Sequence, residues 1–143
     1  MSVPQYVRPM SNWNENVIAE FRANEGRVGG SFEGAPLLLL HSTGARSGKE
    51  RVTPMMYLAV DDGFAVFASK AGADTNPDWY HNLRAHPEAR IEVGTETLDV
   101  TARVLDPVER EPVWVEQKRR YPGFAEYEAK TDRVIPVGVL GRR

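Results

Sequence analysis

Cysteine is absent from this sequence of 143 residues. Disulfides, thiolate metal centres and cysteine nucleophiles are therefore excluded, and the composition fits a reducing compartment. No apolar run approaches the ~18 residues that a membrane span requires. The amino-terminal Met1-Ser2-Val3-Pro4 stretch lacks the apolar core of a signal peptide. A cytoplasmic protein is expected, with a position at the inner face of the membrane as the alternative. An excess of one charge is also missing: 18 Lys and Arg against 20 Asp and Glu give −2. The whole-molecule field offers no reason to expect nucleic acid, so any basic site must be local. Histidine is scarce. His81 and His86 are five apart, off a shared helical face, and with His41 they form no recognisable metal set, so no metal is expected.

What is present organises into a helix, strands and two hairpins. Asn12 to Asn24 reads as a helix capped by Asn12, with Trp13, Val17, Ile18 and Phe21 on one side. Residues 1–10 read as a loose arm. Gly26 to Gly34 is a glycine-rich connector. Leu37 to Leu40 reads as a strand buried on both faces, and Val52 to Val60 as a second strand. Asp62-Gly63 marks a hairpin into Phe64–Ala68. Asn76-Pro77 reads as a cap and first helical residue of a helix ending near Ala85. Ala89–Val93 and Thr97–Leu105 flank Gly94-Thr95 as a second hairpin, and Leu98, Val100, Ala102 and Val104 alternate onto one face. Asp106-Pro107 with Glu109 marks a helix start. Pro112 conflicts with a helix running through it, so a start at Pro112 is the alternative. Tyr121-Pro122-Gly123 breaks that helix, a short one follows over Phe124–Lys130, and Val134–Leu140 closes as a strand. About six mostly antiparallel strands with flanking helices predict an α+β fold with the sheet curled into a barrel.

The chemistry concentrates between Thr43 and Pro54, where two glycines and the cations Arg46, Lys49 and Arg51 stand between two buried strands. Such a loop offers backbone N–H groups and fixed positive charge to an anionic ligand. It is not a nucleotide-triphosphate loop: the spacing is one residue short, and Glu50 occupies the hydroxyl position. Gly26-Arg27-Val28-Gly29-Gly30 follows no strand and is no dinucleotide fingerprint. A second segment, Ser69-Lys70-Ala71-Gly72, brings a hydroxyl, a cation and flexible backbone to the end of a buried strand. Tyr121, Phe124 and Tyr127 recur every third residue, consistent with one helical face. The bland alternatives are solvated loop charges and ordinary aromatic core.

In series, Thr43-Gly44-Ala45-Arg46-Ser47-Gly48, Arg51-Val52-Thr53-Pro54, Ala68-Ser69-Lys70-Ala71-Gly72 and Asn76-Pro77-Asp78-Trp79-Tyr80 resemble the deazaflavin-dependent nitroreductase family of actinobacteria. Asn82-Leu83, Leu98 to Arg103, Tyr121-Pro122 and Thr131 to Pro136 extend the resemblance across Gly26 to Leu140. It implies a split β-barrel over residues 26–143 that binds coenzyme F420, an 8-hydroxy-5-deazaflavin with an anionic tail, behind an arm and helix over residues 1–25. By motif position Arg46, Lys49, Arg51 and Lys70 would meet the tail and phosphate, with Ser47 beside them. Thr53, Pro54, Ala68, Ser69, Ala71, Gly72, Asn76, Pro77 and Trp79 would line the ring and linker. The implied reaction is hydride transfer from the reduced cofactor to a quinone, nitroaromatic or similar electron-poor small molecule. Ser69, Tyr121 and Tyr127 are the implied catalytic residues, and Met56, Tyr121, Phe124 and Tyr127 the implied acceptor pocket. Met56 and Phe124 replace tyrosines of another member, which bears on nitroimidazoles more than on the cofactor. Membrane contact is expected only through a lipophilic quinone, and the sequence does not set an oligomeric state. The alternatives are an FMN-dependent oxidoreductase on a similar barrel and a non-catalytic deazaflavin carrier.

Overall fold

Four leucines in a row can all leave water only if both faces of their strand are covered. Leu37 to Leu40 are at most 3 % exposed. In β1 (Leu37–Thr43), Leu38 and Leu40 face one core, and Leu37 and Leu39 another. The computed structural model describes residues 9–29, 34–61 and 63–143, with side chains from Glu15 onward. Asp62, the side chains of Asn12 and Trp13, the arm before Pro9 and part of the glycine connector lie outside that set.

The strands β2 (Glu50–Met56), β3 (Leu58–Val60), β4 (Gly63–Phe67), β5 (Glu88–Val93), β6 (Glu96–Val104) and β7 (Val137–Arg142) join β1 in one antiparallel sheet. Seven strands run in the order β2-β1-β5-β6-β7-β4-β3. The strand expected over Val52–Val60 is broken at Tyr57, which raises the number above six. That break closes the fold. β2 and β3 are opposite edges of the sheet, yet Tyr57 alone separates them in the chain, so the sheet must curl until its edges meet. The Tyr57 N–H donates to the Pro36 carbonyl at 3.1 Å where β2 ends. The result is the split β-barrel of the α+β class that the sequence predicts. Gly63 permits one close crossing in it, because a Cβ there would lie 2.1 Å from the Leu140 carbonyl oxygen.

One face of the sheet is the barrel interior, filled by Leu38, Leu40, Phe64, Val66, Ile91, Val100 and Leu140 and closed by Leu83 of α2 (Asp78–Ala85). The outer face has two covers. Helix α1 (Pro9–Ala23) lays Val17 and Phe21 over Leu37 and Leu39. Helices α3 (Pro107–Arg120) and α4 (Gly123–Ala129) lay Trp114 and Phe124 over Phe67, Val137 and Val139. Each fully buried leucine or phenylalanine is worth roughly 1.5–3 kcal/mol, so the outer covers as well as the interior stabilise the barrel. Arg22 fastens α1 through Nε and Nη2, which donate to Glu92 at 3.1 and 2.7 Å. The His41 ring stands between Glu92, 2.6 Å from Nε2, and Glu50, 3.1 Å from Nδ1. The Arg22 hydrogen bond, helped by His41, holds the Glu92 carboxyl below its ordinary range against the opposing effect of burial.

Several local expectations are corrected. Helix α1 begins by Pro9, so Asn12 lies inside it and does not cap it. Pro77 is the N-cap of α2, and no side chain caps that end. The Asn76 side-chain oxygen Oδ1 instead accepts from Arg133. Helix α3 starts at Pro107 and runs through Pro112. Its start is set by a capping box in which the Glu109 N–H donates to Asp106 at 2.8 Å and the Asp106 N–H to Glu109 at 3.3 Å. Pro112 removes the bond to the Val108 carbonyl, but Val108 is 84 % exposed and water reaches that turn. Tyr121 is the C-cap of α3, so it does not share a helix with Phe124 and Tyr127. Strand β7 starts after Pro136. Val104, the last of the alternating residues on β6, is 48 % exposed where it borders the cleft beside α2.

Candidate cofactor and acceptor site

The basic loop is the turn between β1 and β2, closed by the pair Thr43↔Glu50. Its own bonds shape it: the Gly44 N–H donates to the Lys49 carbonyl at 2.8 Å and the Gly48 N–H to the Gly44 carbonyl at 3.0 Å. The Ser47 hydroxyl accepts from the Lys49 N–H at 3.2 Å, a local turn bond. Asn82 of α2 anchors the loop from below. Its Oδ1 accepts from the Ala45 N–H at 2.9 Å, and its Nδ2 donates to the buried Ser42 hydroxyl at 3.4 Å. Arg46, Lys49 and Arg51 are exposed. Among the described residues none of them has a carboxylate within ion-pair distance. The one acid in the loop, Glu50, is turned to His41. Strand alternation puts Arg51 and Thr53 on the face of Ser42 and Leu40, and Val52, Pro54 and Met56 on the opposite face.

The second segment leaves β4 in a strained turn. Ser69 is right-handed helical (φ −75°, ψ −36°), and Lys70, Ala71 and Gly72 follow with φ of 46°, 53° and 84°. Left-handed backbone costs about 1–2 kcal/mol for a residue bearing a Cβ. A right-handed residue followed by left-handed ones turns successive N–H groups into one concavity suited to an anion. Among the described residues, no acceptor meets the N–H groups of Ser69, Lys70 or Ala71. The strain is held by one side chain. The Arg133 guanidinium donates to the Ala73 carbonyl at 2.8 Å, the Ser69 carbonyl at 2.9 Å and Asn76 Oδ1 at 2.6 Å. Thr131 adds a hydroxyl bond to Asp74 at 3.0 Å. Lys70 Nζ is engaged by the Thr75 hydroxyl at 3.1 Å.

Helix α2 brings these two segments together. It starts just after Asn76 and Pro77, and Asn82 lies four residues on from Asp78, about 6 Å along the axis. The basic loop is thus fixed to this helix through Asn82, and the strained turn is tied through Arg133 to Asn76, two residues before it. The turn also meets the aromatic segment: a Cβ on Gly72 would lie 2.8 Å from the Tyr127 carbonyl oxygen and 3.0 Å from Lys130 Cβ. Gly72 is therefore required both for its φ and for this approach of α4.

The aromatic segment is mostly core. Phe124 is 8 % exposed and stacks edge-on with Phe67 (5.7 Å), Trp114 (6.2 Å) and Tyr127 (5.3 Å). Tyr121 and Tyr127 are half-buried at the margin of that cluster, and Met56 packs against it from β2. Glu128 supports it from behind, accepting from Trp114 Nε1 at 2.8 Å and Lys118 Nζ at 3.0 Å. Burial raises the Glu128 carboxyl, but Lys118 and Trp114 together keep it below its ordinary range. Ala68 and Trp79 lie elsewhere, lining a cleft between α2 and the barrel. The residues expected in the site therefore divide among a cationic rim, a strained turn, an outer aromatic cluster and a cleft wall.

Asn82 and Arg133, which position both loops, were assigned no role from sequence. An asparagine beside Leu83 on a short helix is a weak sign of a buried polar anchor. Arg133 lies in the Thr131 to Pro136 motif of the resemblance, but no periodicity or turn chemistry there points to its role as an anchor.

A reductase that takes its redox chemistry from a bound cofactor needs an anchorage for the anionic part of that cofactor beside an apolar wall. The model of the F420H(2)-dependent quinone reductase family matches residues 13–142, and the chain belongs to that family. It is 38 % identical over 129 residues to the F420H(2)-dependent quinone reductase of Mycobacterium tuberculosis strain H37Rv, covering 87 % of each chain. A solved structure described as an F420-H2 dependent reductase shares 42 % identity at a TM-score of 0.67, over 73 % of this chain and 93 % of that one. Another, described as a domain-swapped dimer, shares 37 % identity at a TM-score of 0.69, over 93 % and 99 %. The protein is accordingly an F420-dependent oxidoreductase of the quinone reductase type, with reduced coenzyme F420 as hydride donor.

Proposed function

We propose that the basic loop and the turn after β4 form one cofactor site in the barrel domain of residues 26–143, and that the tyrosine segment beside it selects a quinone. The observation that carries this reading is the pairing of two incomplete groups, one anchored on α2 and the other tied to the residue that leads into it. Among the described residues, three cations lack carboxylate partners and a strained turn has N–H groups without acceptors; Asn82 of α2 holds the first, and Arg133 ties the second to Asn76, just before α2. An anionic cofactor tail completes both. Arg46, Lys49 and Arg51, with Lys70 and Ser47, hold the tail and phosphate. Asn76 and Pro77 shape the turn around the linker, while Ala68, Ser69, Ala71, Gly72 and Trp79 border the ring. Thr53 and Pro54 stand on opposite faces of β2, so one borders the ring while the other supports it.

Reduced coenzyme F420 supplies a hydride when bound, and the acceptor gains two electrons. The chain contributes orientation and exclusion of water. The Ser69 hydroxyl donates to the acceptor oxygen as negative charge develops there, with Tyr121 and Tyr127 as further donors. Met56 and Phe124, apolar where hydroxyls would favour a nitro group, suit the flat hydrocarbon of a quinone. Contact with a membrane comes only through a lipophilic quinone of this kind.

The test is direct. Fluorescence quenching should show tighter binding of coenzyme F420 than of FMN, and the reduced cofactor should be oxidised with menadione faster than with a nitroimidazole. Tighter FMN binding would overturn the cofactor site. F420 binding without turnover on any quinone would overturn the acceptor assignment.

A further inference from the structure

We propose that the cleft between α2 and the far ends of β6 and β7 is a second ligand pocket, built for a small aromatic carboxylate. The cavity measures about 190 Å³. That exceeds the ~150 Å³ of an engineered apolar cavity able to take up benzene, so one substituted ring fits. Its floor is apolar, made by Val66, Leu83, Ala102 and Leu140, and Trp79 and Tyr80 supply flat walls. A gap in β7 enlarges it: Gly138 lines the cavity, and a methyl group there would only touch the Arg103 carbonyl oxygen at 3.4 Å and Val66 Cγ2 at 3.9 Å.

Charge at the mouth selects an anion. Two guanidiniums border the cavity. Arg103 is occupied by Glu109, to which its Nη1 donates at 3.1 and 2.9 Å. Arg84 lies with its guanidinium carbon 5.8 Å from the centre of the Tyr80 ring and, among the described residues, has no carboxylate in ion-pair range. Its fork, propped on an aromatic face at the rim of an apolar hole, is a natural carboxylate clamp.

This mouth is not the cofactor rim. Arg84 lies two positions beyond Asn82, or about 200° around the helix. Asn82 faces the basic loop, so Arg84 faces away from it. The pocket shares only the walls Ala68 and Trp79 with the proposed cofactor site, and the inference holds whether or not the cofactor assignment is correct.

Calorimetric titration of the whole chain with benzoate, and with benzyl alcohol as the neutral isostere, tests it, and Trp79 gives a parallel fluorescence signal. Benzoate should bind saturably and roughly tenfold more tightly than the alcohol. Arg84→Gln should bring benzoate to the level of the alcohol while leaving coenzyme F420 affinity unchanged. Ala102→Leu should abolish binding of both. Gly138→Ala, which the local contacts tolerate, should weaken both even if the leucine variant folds poorly. No saturable benzoate binding in the millimolar range, equal affinity for acid and alcohol, or binding indifferent to Gly138→Ala would each overturn the proposal.

Discussion

The two loops of the proposed cofactor site are held in opposite ways. The basic loop has relaxed hairpin bonds, rests on a single amide from Asn82, and leaves its charges in solvent. The turn after β4 carries two strained residues with side chains, sits against α4, and is gripped at three points by Arg133. The first can act through charge over several ångströms and tolerates small displacements. The second acts through the placement of N–H groups and tolerates few. In the proposed site, attraction and alignment thus fall to different segments, on either side of the start of α2.

Breaking the gripped loop should have the largest effect. Arg133→Ala strands the carbonyls of Ser69 and Ala73 and releases a strained turn. A loss of about 3 kcal/mol in urea unfolding is expected, together with a fall in kcat at saturating cofactor. Arg133→Lys should not rescue it, because a point charge cannot span three acceptors; full rescue would show that charge alone suffices. Next comes the shared anchor. Asn82→Ala leaves the buried Ser42 hydroxyl and the Ala45 N–H without their partner, and should cost about 1–2 kcal/mol. Its kinetic signature should be a raised KM for the cofactor with little change in kcat, the reverse of Arg133→Ala.

A smaller effect concerns pH. The folded Glu92 carboxyl titrates below its unfolded range, so the Arg22–Glu92 bond contributes stability above the ordinary carboxylate pKa and loses it as pH falls through the folded value. With Arg22 half exposed, the contribution is under about 1 kcal/mol. Glu92→Gln should flatten the acid side of the stability profile below pH ~5 while leaving stability above neutrality almost level. An unchanged acid limb would show that the bond does not hold α1 down.

The parts of this account that were legible in sequence are those with a period or a fixed turn chemistry. The leucine run, both hairpins and the Asp106 to Glu109 capping box each advertise their geometry through neighbours in the chain. The bend at Tyr57 does not, because nothing in Met55-Met56-Tyr57-Leu58 differs locally from a continuous strand. Only the pairing of its two halves at opposite edges reveals it. Asn76 was misassigned because a cap and a guanidinium partner look alike when Arg133 is 57 residues away. The cations were visible by residue type. Their lack of carboxylate partners among the described residues was not, since Glu50 sits between Lys49 and Arg51 in sequence and only strand alternation turns it to His41.

The division between charge and alignment is tested most directly by the salt dependence of coenzyme F420 affinity in Arg46→Ala with Arg51→Ala. The wild type should lose affinity steadily as ionic strength rises. The double variant should bind roughly tenfold more weakly at low salt, with a much flatter dependence, unchanged folding stability and near-normal kcat at saturation. Equal affinity and parallel salt slopes for the two proteins would contradict the assignment of the cofactor tail to this loop.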